Sequence, residues 1–156
     1  MRIDFYHITQ QSLLEVVPIL LRKTREAGKR ARMVMPRPLI ADISEALWSR
    51  PPEGWLPHGV AGRDEADALL CPIWLVADEE VEDNEAGEYP YQFYLNGVRP
   101  SEIVLAKPEV ERLCIVFKEE AHVGMAREFW RAWRDADHEL HYWQQNASGG
   151  WAEAST

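Results

Sequence analysis

Three groups of residues in this 156-residue chain have types and spacings that could do chemistry. The first is His138-Glu139-Leu140-His141, two imidazoles and a carboxylate. Its histidines are three apart, whereas a zinc-binding HExxH helix needs them four apart on one face. The flanking residues also alternate as a strand does, so these read as surface or partly packed histidines. The second is His58, between Pro57 and Gly59. A general base there needs a nucleophile, and none is visible beside it. The third is cationic and aromatic: at about 100° per residue, Val123, Arg127, Trp130, Arg131 and Arg134 gather on one side of a helical segment.

That helical side has two readings. It is an ordinary charged face, with Trp130 packed under a neighbouring loop and arginine stems lying over it. Or it is a recognition face, because guanidinium groups pair bidentately with carboxylates, and Trp and Arg often carry the binding energy of interfaces. A second aromatic surface has the same two readings. Trp48 and Trp55 flank Pro51-Pro52, with Pro57 following. Prolines stiffen the loop and reduce the entropy lost on docking, but both rings could equally fold back onto the core.

Several motifs of nucleotide and acyl chemistry do not occur. There is no GxGxxG, no GxxxxGK[ST] and no GxSxG, so the backbone cradle for phosphates and the nucleophile elbow are both missing. The first predicted strand runs into His-Ile-Thr-Gln-Gln without a glycine. No catalytic residue set, metal site or cofactor is expected. Cys71 and Cys114 are too few for a CxxC framework or a disulfide scaffold, and read as reduced core cysteines.

Charge narrows the partners. The net charge is −9, and the seven acids of residues 78–88, DEEVEDNEAGE, account for all but two of those charges. Residues 22–37 hold seven Lys and Arg against Glu26 alone, so a local basic face is compatible with overall acidity. Non-specific DNA binding rests on phosphate neutralisation and is disfavoured as a main activity. The acidic run reads as a solvated loop, since oxygen ligands at defined loop positions are not evident. The best apolar run, Leu13 to Leu21, contains Glu15 and Pro18, too short and too interrupted to span a membrane. MRIDFYHITQ lacks an apolar signal core, which predicts a cytoplasmic protein.

The elements that must position these groups follow from periodicity. Residues 2–8 alternate as a strand. Leu13, Val16, Val17, Leu20 and Leu21 predict a helix over 12–27, kinked or short of one hydrogen bond at Pro18 and capped by Gly28. A strand over 30–35 places Ala31, Met33 and Met35 on one face. A helix over 38–49 turns Leu39, Ile43, Ala46 and Leu47 inward, unless Asp42 and Glu45 form a cap pair that starts it later. Pro51-Pro52 ends it, and 51–62 predicts a long turn. Strands follow over 71–77, 91–95 and 113–118, with Asn96-Gly97 as a turn. A helix over 119–136 has Met125, Phe129, Ala132 and Ala136 as its core stripe. A last strand spans 138–144, and Gly149-Gly150 turns before Trp151. The order predicts one α/β domain over 1–156, layered on a largely parallel sheet.

Glu45-Ala46-Leu47-Trp48-Ser49-Arg50-Pro51, followed by Trp55, Pro57, His58 and Gly62, resembles the signature of the chi subunit family of bacterial DNA polymerase III holoenzyme. The opening strand, the 12–27 helix with Gly28-Lys29-Arg30 after it, and Met125-Ala126-Arg127-Glu128-Phe129-Trp130-Arg131-Ala132-Trp133-Arg134 extend the resemblance over nearly the whole chain. It implies a Rossmann-like three-layer α/β fold with no nucleotide-binding loop. It also implies a non-catalytic accessory subunit of the clamp-loader complex, attached through the psi subunit or another clamp-loader protein. Such a subunit grips the acidic C-terminal tail of single-stranded-DNA-binding protein, and its association with DNA is indirect.

Residue by residue, Arg127, Trp130 and Arg131 fall where the family holds that tail, and Val123 and Arg134 join them from the helical wheel. Trp48, Trp55 and Pro57 match the region that binds psi or related partners. Family members often carry tyrosine and lysine at the Trp130 and Arg131 positions, and the 78–88 segment is a departure from them. Two other functions remain open at this level. One is direct single-strand binding, with bases stacked on Trp130; the other is a small α/β enzyme around His58.

Overall fold

The alternation of short apolar runs with amphipathic segments folds into one sheet covered on both faces. The computed structural model describes residues 1–49, 56–64 and 70–154. Strands β1 (Arg2–His7), β2 (Ala31–Met35), β3 (Gly59–Val60) and β4 (Ile73–Ala77) come from the first half of the chain. Strands β5 (Tyr91–Leu95), β6 (Arg112–Phe117), β7 (Glu139–Gln145) and β8 (Trp151–Glu153) come from the second. They lie in the order β3-β4-β2-β5-β6-β1-β7-β8, every neighbouring pair parallel except β7–β8. Central strands such as β2 and β4 are buried at every position, as parallel strands covered on both faces must be.

Helices α1 (Leu13–Glu26) and α2 (Ile40–Ser49) cover one face, packing Val16, Val17, Leu21, Ile43 and Leu47 on Met33, Met35 and Leu75. Short α3 (Glu102–Leu105) and long α4 (Glu120–Arg134) cover the other, where Phe5, Ile115 and Phe117 meet Val123, Phe129 and Trp133. The result is the predicted three-layer α/β architecture with a largely parallel sheet. Ser12 starts α1 with a capping box: its hydroxyl accepts from the Glu15 N–H, and its own N–H donates to the Glu15 carboxylate. Pro18 sits inside the helix, which continues past it; only the Leu14 carbonyl loses its intrahelical donor. A 3-10 turn at Arg37–Leu39 leads directly into α2, so Asp42 lies within the first turn and the alternative later start does not occur. Pro51, Pro52 and Trp55 lie outside the described residues.

Strand β3 and helix α3 were not expected. With two and four residues, they are too short to impose a period on the sequence. The acidic segment is largely solvent-exposed, as expected, but is built from short turns tied to the sheet. It forms 3-10 turns at Asp78–Glu80 and Asp83–Glu88, and Ala86 is buried with Val34 and Val76. Its acids are used: Asp83 pairs with Arg32 at 3.0 Å, and Glu79 and Glu80 both pair with Arg37. Two of the seven basic residues of 22–37 are thereby paired. Lys29 pairs with Glu111 at 2.9 Å, and the Arg30 guanidinium lies 4.7 Å from the Tyr89 ring centroid. Both cysteines are free thiols, but only Cys114 lies in the core, where burial pushes it up to about 12; Cys71 is partly exposed.

Candidate docking groove

Helix α4 decides where its arginines point by what it buries. Val123, Ala126, Phe129 and Trp133 face the sheet, while Met125, Ala132 and Ala136 are exposed. The core stripe is therefore rotated roughly a quarter-turn from the one read off the sequence. The helix has two apolar flanks, and only one carries Trp133 in addition to Phe129. Burying a large ring is worth roughly 1.5–3 kcal/mol, more than Met125 and two alanines return by being half covered. Val123 consequently does not belong to an exposed binding face: it is 6% exposed and part of the core.

The same rotation puts Trp130 at the seam between helix and sheet. Its ring is half-buried, 5.4 Å from Phe5 and 6.1 Å from Tyr142. Arg127, Arg131 and Arg134 stand on the adjacent flank, and all three line one open groove of about 390 Å³ with Trp130. Its other wall is His7, Tyr142, Gln144 and Ala154. Arg134 approaches Asp135 at 3.8 Å with both side chains exposed. Arg127 and Arg131 pair with no carboxylate among the described residues. One edge of the Trp130 ring thus packs on the core while the ring still borders the groove.

His7 and Tyr142 escaped the sequence reading, which treated both as strand residues. The parallel β1–β7 register sets Phe5 beside Tyr142 and His7 beside Gln144, along that wall of the groove. The Tyr142 hydroxyl hydrogen-bonds His7 Nδ1 at 3.3 Å, and the imidazole stacks on Phe117 at 5.1 Å. Burial lowers the His7 pKa and the Arg127 charge lowers it further, against a smaller opposing pull from Glu120. Burial raises the Tyr142 hydroxyl, with Arg127 acting the other way. This wall is thus aromatic, and burial disfavours charge on it, opposite the cationic arginines. The clue available in sequence was that Phe5, His7, Tyr142 and Gln144 each fall on alternating strand positions.

The second aromatic surface is partly described. Trp48 is 46% exposed at the end of α2, its ring 4.6 Å from His58, and Pro57 is exposed. Trp55 lies outside the described residues. His58 is buried, with Nδ1 donating to the Leu56 carbonyl at 2.8 Å, which leaves Nε2 to accept from the Ser44 hydroxyl at 2.7 Å. A serine does face His58, then, but Ser44 is buried inside α2, where neighbouring N–H groups serve the helix and offer no oxyanion site. The pair ties the loop to the helix, as does the Leu56 N–H donating to the Leu47 carbonyl at 2.7 Å. His138 and His141 part company: His138 Nδ1 meets the Met1 amine at 3.4 Å, while His141 bonds Glu153. No cluster of three or more His, Cys, Asp or Glu suited to a metal occurs among the described residues. Among the described residues, no helix is long and apolar enough to cross a membrane.

Fold and site together define a class: a three-layer α/β domain without a phosphate loop, carrying an open cationic-aromatic groove at the flank of its last helix. The sequence profile of the DNA polymerase III chi subunit family, HolC, matches residues 1–141. The chain belongs to that family, an accessory replication subunit. Among curated proteins, none matches the chain.

Proposed function

We infer that the protein is a non-catalytic adaptor linking the clamp-loader complex of the replicative polymerase to single-stranded-DNA-binding protein by gripping that protein's acidic C-terminal tail. One observation carries this reading: Arg127, Trp130, Arg131 and Arg134 converge on a single groove, and two of the guanidinium groups pair with no carboxylate among the described residues. Carboxylates of the tail pair with the arginines, and an apolar side chain of the tail lies against Trp130 and Tyr142. An acidic protein repels the DNA polyanion at long range yet keeps this local complement, so association with DNA is indirect. Trp48, Trp55 and Pro57 form the face for psi or another clamp-loader protein, supported by the exposure of Trp48 and Pro57. The protein works in the cytoplasm, where its partners are.

Binding falls in the micromolar range, about −8 kcal/mol at 1 μM. Salt weakens the charged part, since screening acts over ~8–10 Å near physiological strength, and leaves the apolar contact. Titrating a fluorescent acidic tail peptide into the intact protein tests the assignment. Arg127→Ala and Arg131→Ala each weaken binding about tenfold or more; unchanged affinity in both would overturn it. An oligonucleotide binding as tightly as the peptide would favour direct single-strand recognition instead.

A further inference from the structure

Tyr142, Gln144 and Ala154 lie past residue 141, on the β7–β8 hairpin. The antiparallel register pairs Gln144 with Ala152, and the Ala154 N–H donates to the Tyr142 carbonyl at 2.8 Å. Strand alternation then sets Tyr142, Gln144, Ala152 and Ala154 on the face toward α4, and Trp143, Trp151 and the His141–Glu153 pair on the other. The wall opposite the arginines is therefore uncharged and low. Gln145, one position on, is fully engaged: its carbonyl oxygen Oε1 accepts from the backbones of Thr9, Gln10 and Gln11. Gln144 is exposed in the groove, and its carboxamide bonds no described residue.

Arginines alone do not choose between polyanions, because guanidinium groups pair with phosphate as readily as with carboxylate. A carboxamide carries two donors and an acceptor, the complement of a peptide main chain. A phosphodiester backbone has no N–H to offer that acceptor. We propose that the β7–β8 hairpin is the specificity element of the groove. Gln144 pairs with a main-chain amide of an acidic peptide whose carboxylates Arg127 and Arg131 hold, and Ala154 keeps the channel wide enough for a peptide backbone to pass. The proposal rests on the groove being a peptide site.

The test uses the intact protein, the acidic tail peptide, a set of its analogues each N-methylated at one main-chain amide, and a single-stranded oligonucleotide. Gln144→Ala weakens the unmodified peptide about threefold to tenfold, the worth of one hydrogen bond. It adds no further loss for the one analogue whose methyl group removes the shared bond, and it leaves weak oligonucleotide binding unchanged. Ala154→Leu narrows the channel and weakens the peptide tenfold or more. Should that variant fail to fold, Gln144→Glu replaces it, and its charge must weaken the peptide more than Gln144→Ala does. Gln144→Ala and Ala154→Leu both within twofold of wild type, with Arg131→Ala still impaired, would overturn the hairpin's role and leave the groove standing. Equal loss across every methylated analogue would overturn the main-chain contact. No peptide binding by the wild type would overturn both readings.

Discussion

Arg32 on β2 and Asp83, fifty-one positions later, meet beneath the acidic segment: Arg32 Nη2 donates to Asp83 Oδ1 at 3.0 Å, with the Arg32 side chain 3% exposed. The rest of the guanidinium is satisfied by Gln92, the Tyr94 hydroxyl and the Glu82 carbonyl. A charge this deep needs its partner, and Asp83 is the carboxylate that supplies it.

Removing that carboxylate exposes the dependence. Asp83→Ala strands a buried cation and costs about 3 kcal/mol. Asp78→Ala, exposed in the same segment, costs less than about 0.5 kcal/mol. Urea unfolding monitored by tryptophan fluorescence checks both; equal midpoints for the two variants would show the segment to be dispensable.

Two α4 substitutions separate stability from docking. Val123→Ala removes buried methyl groups and costs about 1–2 kcal/mol while leaving tail affinity within twofold. Trp130→Ala loses both packing on Phe5 and the groove edge, costing about 2–3 kcal/mol of stability together with most of the affinity. Trp130→Phe restores much of the stability but only part of the binding. Thermal melts beside peptide titrations read the two effects independently.

The His7 imidazole links tail binding to pH. Burial and Arg127 hold its pKa below the ordinary histidine value in the free protein. An anionic peptide in the groove offsets Arg127 and favours the protonated ring, so binding takes up a proton. Affinity therefore rises as pH falls from 8 toward about 5.5, and His7→Gln flattens the profile. Calorimetry in buffers of different ionisation enthalpy detects the uptake; a flat wild-type profile with no proton uptake would refute it.

Asp4 governs acid stability. Burial alone would raise its pKa, but hydrogen bonds from Arg2 and Trp143 and the charge of Arg112 outweigh that and leave it below the usual carboxylate range. A folded-state pKa below the unfolded one gives stability that is complete above about pH 4–5 and is lost as pH falls through the folded value. Asp4→Asn is less stable at pH 7 and loses less between pH 5 and pH 2.5, measured as shifts in Tm.

The sequence by itself determined the layer type, the main strands and helices, and the family. Periodicity and turn residues are local properties: Leu13 to Leu21 read as a helix, and Ile73 to Ala77 as a strand, wherever they sit. The Arg127, Trp130 and Arg131 cluster was legible for the same reason, since helical spacing fixes which residues share a side. Which side turns inward was not, because that choice compares the burial of whole flanks against a sheet assembled from distant segments. Hence Val123 went to the core and Met125 to solvent. The groove's far wall was hidden for a related reason. His7 and Gln144 meet only through strand pairing across 137 positions, and no local pattern records a register between strands so far apart. The acidic run is solvated, as its charge implied, but its pairing with Arg32 and Arg37 and the burial of Ala86 depend on tertiary contacts that no local pattern records.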